Sequence, residues 1–311
     1  MPDVSRDCSR STPGAGWAPD AACAVTGTHL LAWRREQLAA GGESEALDWL
    51  LAMAAGLDWS TLQHLRIAPE RSVSLPVSLD QLTVLWQRHL QFSEPLQYLL
   101  QRCSWRDLEL VVAPGVLIPR PETELLVEMA QALRADRPPT CWADLGTGSG
   151  CLAVALAGLW PTSEGLAVDC SDAALRQAAR NLERCGRRSR VQLLQGSWWQ
   201  PLHPWWGRLD LVVANPPYIP TAVWSSLEPV VRTHEPRLAL DGGSDGLDAL
   251  RLIVSGCRDA LAPGGWLLLE HHHDQSRPVL DLLRGAGLEQ VAAHPDLEGT
   301  LRFAVARAPV A

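Results

Sequence analysis

The residues with the plainest chemical potential are Asn215-Pro216-Pro217-Tyr218, which close the apolar run from Leu209 to Ala214. An apolar run bounded by Asn-Pro-Pro reads as a buried strand that stops abruptly. Each proline lacks an N–H and fixes φ, so no sheet ladder continues past Asn215. Carbonyls of the turn are then left without strand partners and can point into a cleft. A carboxamide stands before them and an aromatic ring after them. That set suits a planar nitrogen carrying N–H bonds: the Asn215 oxygen and a prolyl-region carbonyl accept its hydrogens, and Tyr218 covers its flat face. Taken alone, the stretch is equally an ordinary Asn-Pro turn after a strand.

A second group sits upstream. Trp142-Ala143-Asp144-Leu145 runs into Gly146-Thr147-Gly148-Ser149-Gly150, a strand entering a glycine-rich turn at the start of a helix. Glycines let a backbone approach a ligand closely and adopt φ > 0. Asp169 ends the next strand, placed to accept hydrogen bonds from ribose hydroxyls. A dinucleotide site uses a similar layout, so the glycines alone discriminate weakly. Three details favour S-adenosylmethionine over NAD. The spacing is Gly-x-Gly-x-Gly rather than Gly-x-Gly-x-x-Gly. Asp144 stands just before the turn, where its charge can face an amino group or order the loop. Asn-Pro-Pro-Tyr ends the fourth strand, and in a doubly wound sheet the first and fourth strands flank the switch point where ligands bind. Both turns are therefore expected to face one cleft.

The elements that must position these turns read as an α/β chain. Strands are predicted at 141–145, 165–169, 190–195, 209–214, 265–270, 288–293 and 301–307, with helices near 150–158, 171–184, 246–261 and 275–286. Such alternation predicts a mostly parallel, Rossmann-like seven-stranded sheet with helices on both faces and an antiparallel final pair. Upstream, amphipathic helices are predicted at 29–40, 43–55, 58–66 and 78–92, the last with a Ser78/Gln81 capping box. They form a small helical bundle over residues 27–93, expected to recognise a partner. Residues 94–119 read as extended, a β-hairpin linker with a turn near Arg106-Asp107. Residues 1–26, rich in Ser, Pro, Gly, Ala and Asp, read as a disordered tail. In Ile118-Pro119-Arg120-Pro121-Glu122-Thr123-Glu124 the prolines stiffen the approach to a helix that Thr123 or Glu122 can cap.

Composition narrows the function. The chain has 311 residues, 47% of them apolar, enough for a sizeable core. Its net charge of −8 argues against coating nucleic acid through a broad basic surface, and acidic residues outnumber arginines in the bundle. All 27 basic residues are arginine, which excludes lysine Schiff-base chemistry and a Walker phosphate loop. The eight cysteines are scattered without a Cys-x-x-Cys pair, and no apolar leader or bilayer-length run is seen, so a cytoplasmic chain without a membrane partner is expected. His271-His272-His273-Asp274 lacks complementary ligand spacing and reads as a surface turn, so no metal is expected.

From Glu94 to the C-terminus the sequence resembles the HemK-type protein-(glutamine-N5) methyltransferases that modify peptide-chain release factors. The resemblance rests on Glu94-Pro95-Leu96-x-Tyr98, on Pro114-Gly115-Val116-Leu117-Ile118-Pro119-Arg120-Pro121-Glu122-Thr123-Glu124, on Asp144 to Gly150, on Asn215 to Ile219, and on Glu235-Pro236-Arg237-x-Ala239-Leu240-x-Gly242-Gly243. It implies an S-adenosylmethionine-dependent methyltransferase domain over residues 120–311, releasing S-adenosylhomocysteine. Gly146, Thr147, Gly148, Ser149, Gly150, Asp169, Trp198 and Asn215 would contact the methyl donor. Asn215, Pro216, Pro217 and Tyr218 would hold the glutamine of a class I release factor, with Asn215, Pro216 and Tyr218 carrying the chemistry. Arg120 and Glu122 would either clamp the substrate backbone or pair with each other. Ser197 departs from the family, which carries an acidic residue there, as do His271 and His272 after Glu270. The protein is expected to act as a monomer without direct nucleic-acid contact. Rival readings are the same chemistry on a ribosomal-protein glutamine, an adenine-N6 or rRNA amino-methyltransferase, and a non-catalytic binding module that keeps the donor fold.

Overall fold

The computed structural model describes residues 22–310, so residues 1–21 of the tail expected over residues 1–26 lie outside the described residues. Residues 22–102 together with Pro229–His234 form one unit, and residues 103–228 and 235–310 form another.

In the first unit Cys23–Thr26 (β1) is a strand, not tail, because it pairs antiparallel with Ser72–Leu75 (β2). Helices Gly27–Ala40 (α1), Ser44–Ala55 (α2), Trp59–Ile67 (α3) and Leu79–Phe92 (α4) form within one or two residues of the expected bounds. Thr26 caps α1, Asp58 caps α3, and the Ser78/Gln81 capping box of α4 is formed. Their apolar faces close around Leu30, Leu47, Leu50, Leu82 and Trp86. Leu96–Leu100 (α5) is helical rather than extended: Leu96, Leu99 and Leu100 recur at helical spacing and bury in that same core.

A two-stranded hairpin follows, Arg102–Trp105 (β3) and Leu108–Val111 (β4), which turns at Arg106 with φ +54° and from Cys103 onward belongs to the second unit. After Glu124–Leu133 (α6) the chain alternates as expected: Cys141–Leu145 (β5), Cys151–Leu159 (α7), Glu164–Asp169 (β6), Asp172–Arg184 (α8), Val191–Gln195 (β7) and Leu209–Ala214 (β8). Pro229–His234 (α9) belongs to the first unit, where the His234 ring meets the Phe92 carbonyl at 2.7 Å. Asp248–Ala260 (α10), Leu261–Glu270 (β9), Ser276–Gly285 (α11), Glu289–Pro295 (β10) and Leu301–Arg307 (β11) complete the fold.

The sheet order is β10-β11-β9-β8-β5-β6-β7, parallel except for β11, which runs antiparallel to both neighbours. Strand β9 starts earlier than the pattern suggests. Leu261 pairs with Leu209, and the stretch through Pro263 and Gly264 arches out before Trp266 rejoins Leu211. Helices α10 and α11 cover one face through Leu250, Ile253, Val279 and Leu283. Helices α6, α7 and α8 cover the other through Leu126, Val154, Leu156 and Leu182. Central strands are thus buried on both sides, which explains runs such as Leu267-Leu268-Leu269. Leu268→Ala, at a fully buried position on β9, should cost about 2–5 kcal/mol, read as a lower denaturant midpoint with an unchanged slope.

Candidate active site

Strands β5 and β8 are parallel neighbours with Leu145 paired to Ala214. The glycine-rich turn and the Asn-Pro-Pro turn therefore leave adjacent strands side by side at the same sheet edge. The first turn is held from below: the backbone N–H groups of Gly146 and Thr147 both donate to the Val168 carbonyl at 2.9 Å. Gly146, Gly148 and Gly150 have φ of +75°, +54° and +80°, which side chains rarely adopt. Gly146 also leaves room for Trp198, since an added Cβ would lie 3.3 Å from its ring. Buried Asn181 donates to the Ser149 carbonyl at 2.8 Å and accepts from Val111 N at 2.8 Å, tying the turn to the hairpin.

Two carboxylates flank this turn. Asp144 is fully buried and accepts from the Thr147 hydroxyl at 2.6 Å, while its other oxygen has no hydrogen-bond partner among the described residues. Burial pushes Asp144 up to about 7; the Thr147 bond opposes this and nearby Asp169 reinforces it. Asp169 accepts from the backbone N–H groups of Gly148 and Ser171, each at 2.9 Å. Burial raises its pKa against those bonds. A cavity of about 340 Å³ lies over the turn, lined by Gly146–Ser149, Asp169, Trp198, Asn215, Pro217 and Arg120, among others.

At the far end the Asn215 amide is fixed in one orientation. Its Nδ2 donates to the Thr123 hydroxyl at 2.8 Å, and Thr123 donates to Glu270 Oε2 at 2.7 Å. The Tyr218 hydroxyl donates to Glu270 Oε1 at 3.2 Å. With Nδ2 engaged inside the protein, Oδ1 is the group left to accept. The Pro216 carbonyl likewise accepts nothing among the described residues. Burial pushes Glu270 up to about 7, opposed by the Thr123 and Tyr218 bonds. Burial, with Glu270 close by, raises the Tyr218 phenol above its ordinary value. A small recess of about 20 Å³, lined by Leu117, Arg120, Asn215, Pro216, Tyr218 and Ile219 among others, opens beside Asn215.

The loop after Glu235 clasps the Pro-Pro-Tyr backbone. Gln275 donates to the Tyr218 carbonyl at 2.9 Å. A Cβ on Gly246 would sit 2.2 Å from that same carbonyl, and one on Gly242 would sit 2.8 Å from the Pro217 carbonyl.

The structure thus gathers Gly146–Ser149, Asp169, Trp198, Asn215 and Pro217 on one cavity, with Pro216 and Tyr218 on the adjoining recess. Gly150 shapes the turn without lining the cavity. Arg120 and Glu122 do not pair with each other. Arg120 binds buried Glu235 at 2.7 Å, and Glu122 is exposed and does not line the cavity. Thr123 does not cap α6, because its hydroxyl serves Glu270 and Asn215. Thr123, Glu235, Glu270 and Gln275 were not anticipated as site residues. One signal was available for Glu270: a lone acid ending the apolar run beside β8, at the ligand-binding edge of the sheet. His272 pairs with Asp274 at 2.6 Å, and its ring centroid lies 6.3 Å from that of Tyr218.

Residues 121–228 match the model of the methyltransferase small domain family. The chain is 49% identical over 286 residues to a release factor glutamine methyltransferase of Prochlorococcus marinus, covering 90% of this chain and 96% of that protein. It is 40% identical over 292 residues to the protein of that name from Synechocystis, covering 91% and 97%. Among solved structures, the hMettl16 catalytic domain in complex with a 3'UTR hairpin superposes with a TM-score of 0.53 at 16% identity, covering 73% of this chain and 80% of that one. At that identity the likeness is one of fold.

Gly150→Ala would place a Cβ 2.9 Å from the Ala178 Cα at φ +80°. It should lower stability by about 1–3 kcal/mol in chemical denaturation. Gly186→Ala, at φ +64° with open space around it, should lose only about 1 kcal/mol.

Proposed function

The chain belongs to the release factor glutamine methyltransferases, and from that premise we propose that it methylates the side-chain amide nitrogen N5 of the glutamine in the Gly-Gly-Gln motif of class I peptide-chain release factors, with S-adenosylmethionine as donor. The observation that carries this reading is the Asn215 amide, whose donor end is held by Thr123 while its oxygen is free to accept. A primary carboxamide offers two N–H bonds in one plane, and Asn215 Oδ1 with the Pro216 carbonyl supplies two acceptors for them.

The cavity residues fit the donor. A space of about 340 Å³ is in the range of small-molecule sites. Asp169 can accept from ribose hydroxyls while holding Gly148 N, because an ionised carboxylate has about four lone-pair positions. Trp198 brings an aromatic face, and the turn from Gly146 to Gly150 brings backbone without side-chain obstruction. Bound there, a sulfonium supplies an electrophilic methyl group.

What the protein does is hold and polarise the acceptor. An amide nitrogen is a poor nucleophile because its lone pair is delocalised into the carbonyl. Hydrogen bonds from its N–H groups to Asn215 and Pro216 orient the nitrogen and favour pyramidalisation. The same bonds stabilise the positive charge that grows on nitrogen as its C–N bond forms. The recess beside Tyr218 is narrow, so the side chain enters in one pose and much of the rate comes from positioning. No side-chain base is needed: an N-protonated amide is strongly acidic and gives its proton to water.

The acidic helical unit over residues 27–93 is read as the part that meets the release factor, and the enzyme is placed in the cytoplasm with that substrate. No helix among the described residues is long and apolar enough to cross a membrane. An adenine amino group would also satisfy two acceptors, but a net charge of −8 opposes a nucleic-acid substrate. Asn215→Ala should lower turnover by about 10²–10³ or more while donor affinity stays within a few-fold, by calorimetry and labelled-methyl transfer. Label should reach a wild-type release factor and not one whose Gly-Gly-Gln glutamine is replaced. Equal labelling of both would overturn the assignment.

A further inference from the structure

The chain of hydrogen bonds behind Asn215 has a direction, and the direction decides which end of the amide meets the substrate. Asn215 Nδ2 donates to Thr123, Thr123 donates to Glu270 Oε2, and Tyr218 donates to Glu270 Oε1. Two hydroxyl donors converge on one carboxyl that is 1% exposed, so the arrangement requires a group that accepts at both oxygens. An ionised carboxylate does this; a protonated one must donate from one oxygen. Of the two hydroxyls Thr123 lies the closer, 2.7 Å against 3.2 Å for Tyr218, so a neutral Glu270 donates there and the threonine hydroxyl turns its own hydrogen toward Asn215. The amide must then rotate to offer oxygen inward, which presents NH₂ to the substrate nitrogen. Two donors facing each other bind nothing.

We infer that Glu270 is a positioning residue whose ionised form sets the polarity of the Asn215 amide through Thr123, so that protonating Glu270 switches off methyl transfer while leaving the donor site intact. The inference deepens the functional reading above and rests on Asn215 accepting from the substrate amide. Its environment places the switch near neutrality. Burial pushes Glu270 up to about 7, the Thr123 and Tyr218 bonds pull it down, Glu122 reinforces the rise and Arg302 opposes it. Arg302 is itself paired with Asp296 at 2.7 Å, so it does not neutralise Glu270 directly. The active form is the charged one, so activity is lost as pH falls through the folded value and is full above it.

The test is the pH profile of methyl transfer to a release factor at saturating donor, from about pH 5.5 to 9, for wild type, Glu270→Gln, Thr123→Ser and Thr123→Val. Donor affinity is followed in parallel by calorimetry, because Asp144, also pushed to about 7, belongs to the donor end and would act on that quantity. In wild type the turnover should fall about tenfold per pH unit below about 7 and be level above it. Glu270→Gln should have a plateau reduced by about 10–100-fold and no acid limb of its own, since a carboxamide accepts at one position and donates at the other at every pH. Thr123→Ser, which keeps the hydroxyl, should retain both limb and plateau within a few-fold. Thr123→Val should lose the plateau as Glu270→Gln does. A wild-type acid limb persisting in Glu270→Gln, or Thr123→Val matching wild type, would overturn the inference while leaving glutamine methylation standing. A wild-type protein silent toward release factor at every pH would overturn the functional reading, and this inference with it.

Discussion

The parallel ladder between β5 and β8 is the constraint on which the site depends. Leu145 opposite Ala214 sets where both strands end, and everything chemical follows from what emerges there. A one-residue slip would exchange the faces of an entire strand, sending Val212 and Val213 to the wrong cores. Because both faces are buried, that register is held by packing over its whole length. The two turns then need only local means to stay in place: the Val168 carbonyl beneath one, and Gln275 with the loop after Glu235 around the other.

Against that rigid frame the protein keeps two carboxyl groups, Asp144 and Glu270, in surroundings that disfavour their charge. Both have folded-state values raised above the unfolded ones, so folding takes up protons between about 4 and 7. The associated loss of stability is absent at acid pH and complete above about 7, of order 3–4 kcal/mol for each group. A hydrophobic pair of like volume would fold more easily. Retaining the acids makes sense where each orders a polar neighbour, Thr147 in one case and Thr123 with Tyr218 in the other.

Much of this was legible in the sequence because it is written in short-range patterns. Strands such as 141–145, 209–214 and 301–307 end where glycine, proline or charge ends them. Asn215-Pro216-Pro217-Tyr218 is identifiable because two prolines forbid the alternative. What was not legible depends on distant partners. Thr123 looks like a helix cap until Glu270, 147 residues away, is seen to accept its hydrogen bond. Arg120 beside Glu122 suggests a local pair, yet it is Glu235, 115 residues away, that meets it. Cys23–Thr26 is too short to show a period and becomes a strand only by pairing with Ser72–Leu75. Leu96–Leu100 shows the opposite failing: a segment flanked by β-like residues takes the helix that lets three leucines reach a core.

The clasp around Tyr218 carries a consequence for how such an enzyme can diverge. Its carbonyl is gripped by Gln275 from one side, and Gly246 approaches so closely that no side chain fits there; Gly242 stands in the same relation to Pro217. Substitution in this segment therefore cannot retune substrate preference by degrees, because the first added carbon already displaces the Pro217 and Tyr218 carbonyls, and with them the turn that carries the Pro216 acceptor. A lineage seeking a new substrate must leave the clasp alone and alter the surfaces that deliver the substrate. The chemistry and the choice of partner are free to evolve at different speeds.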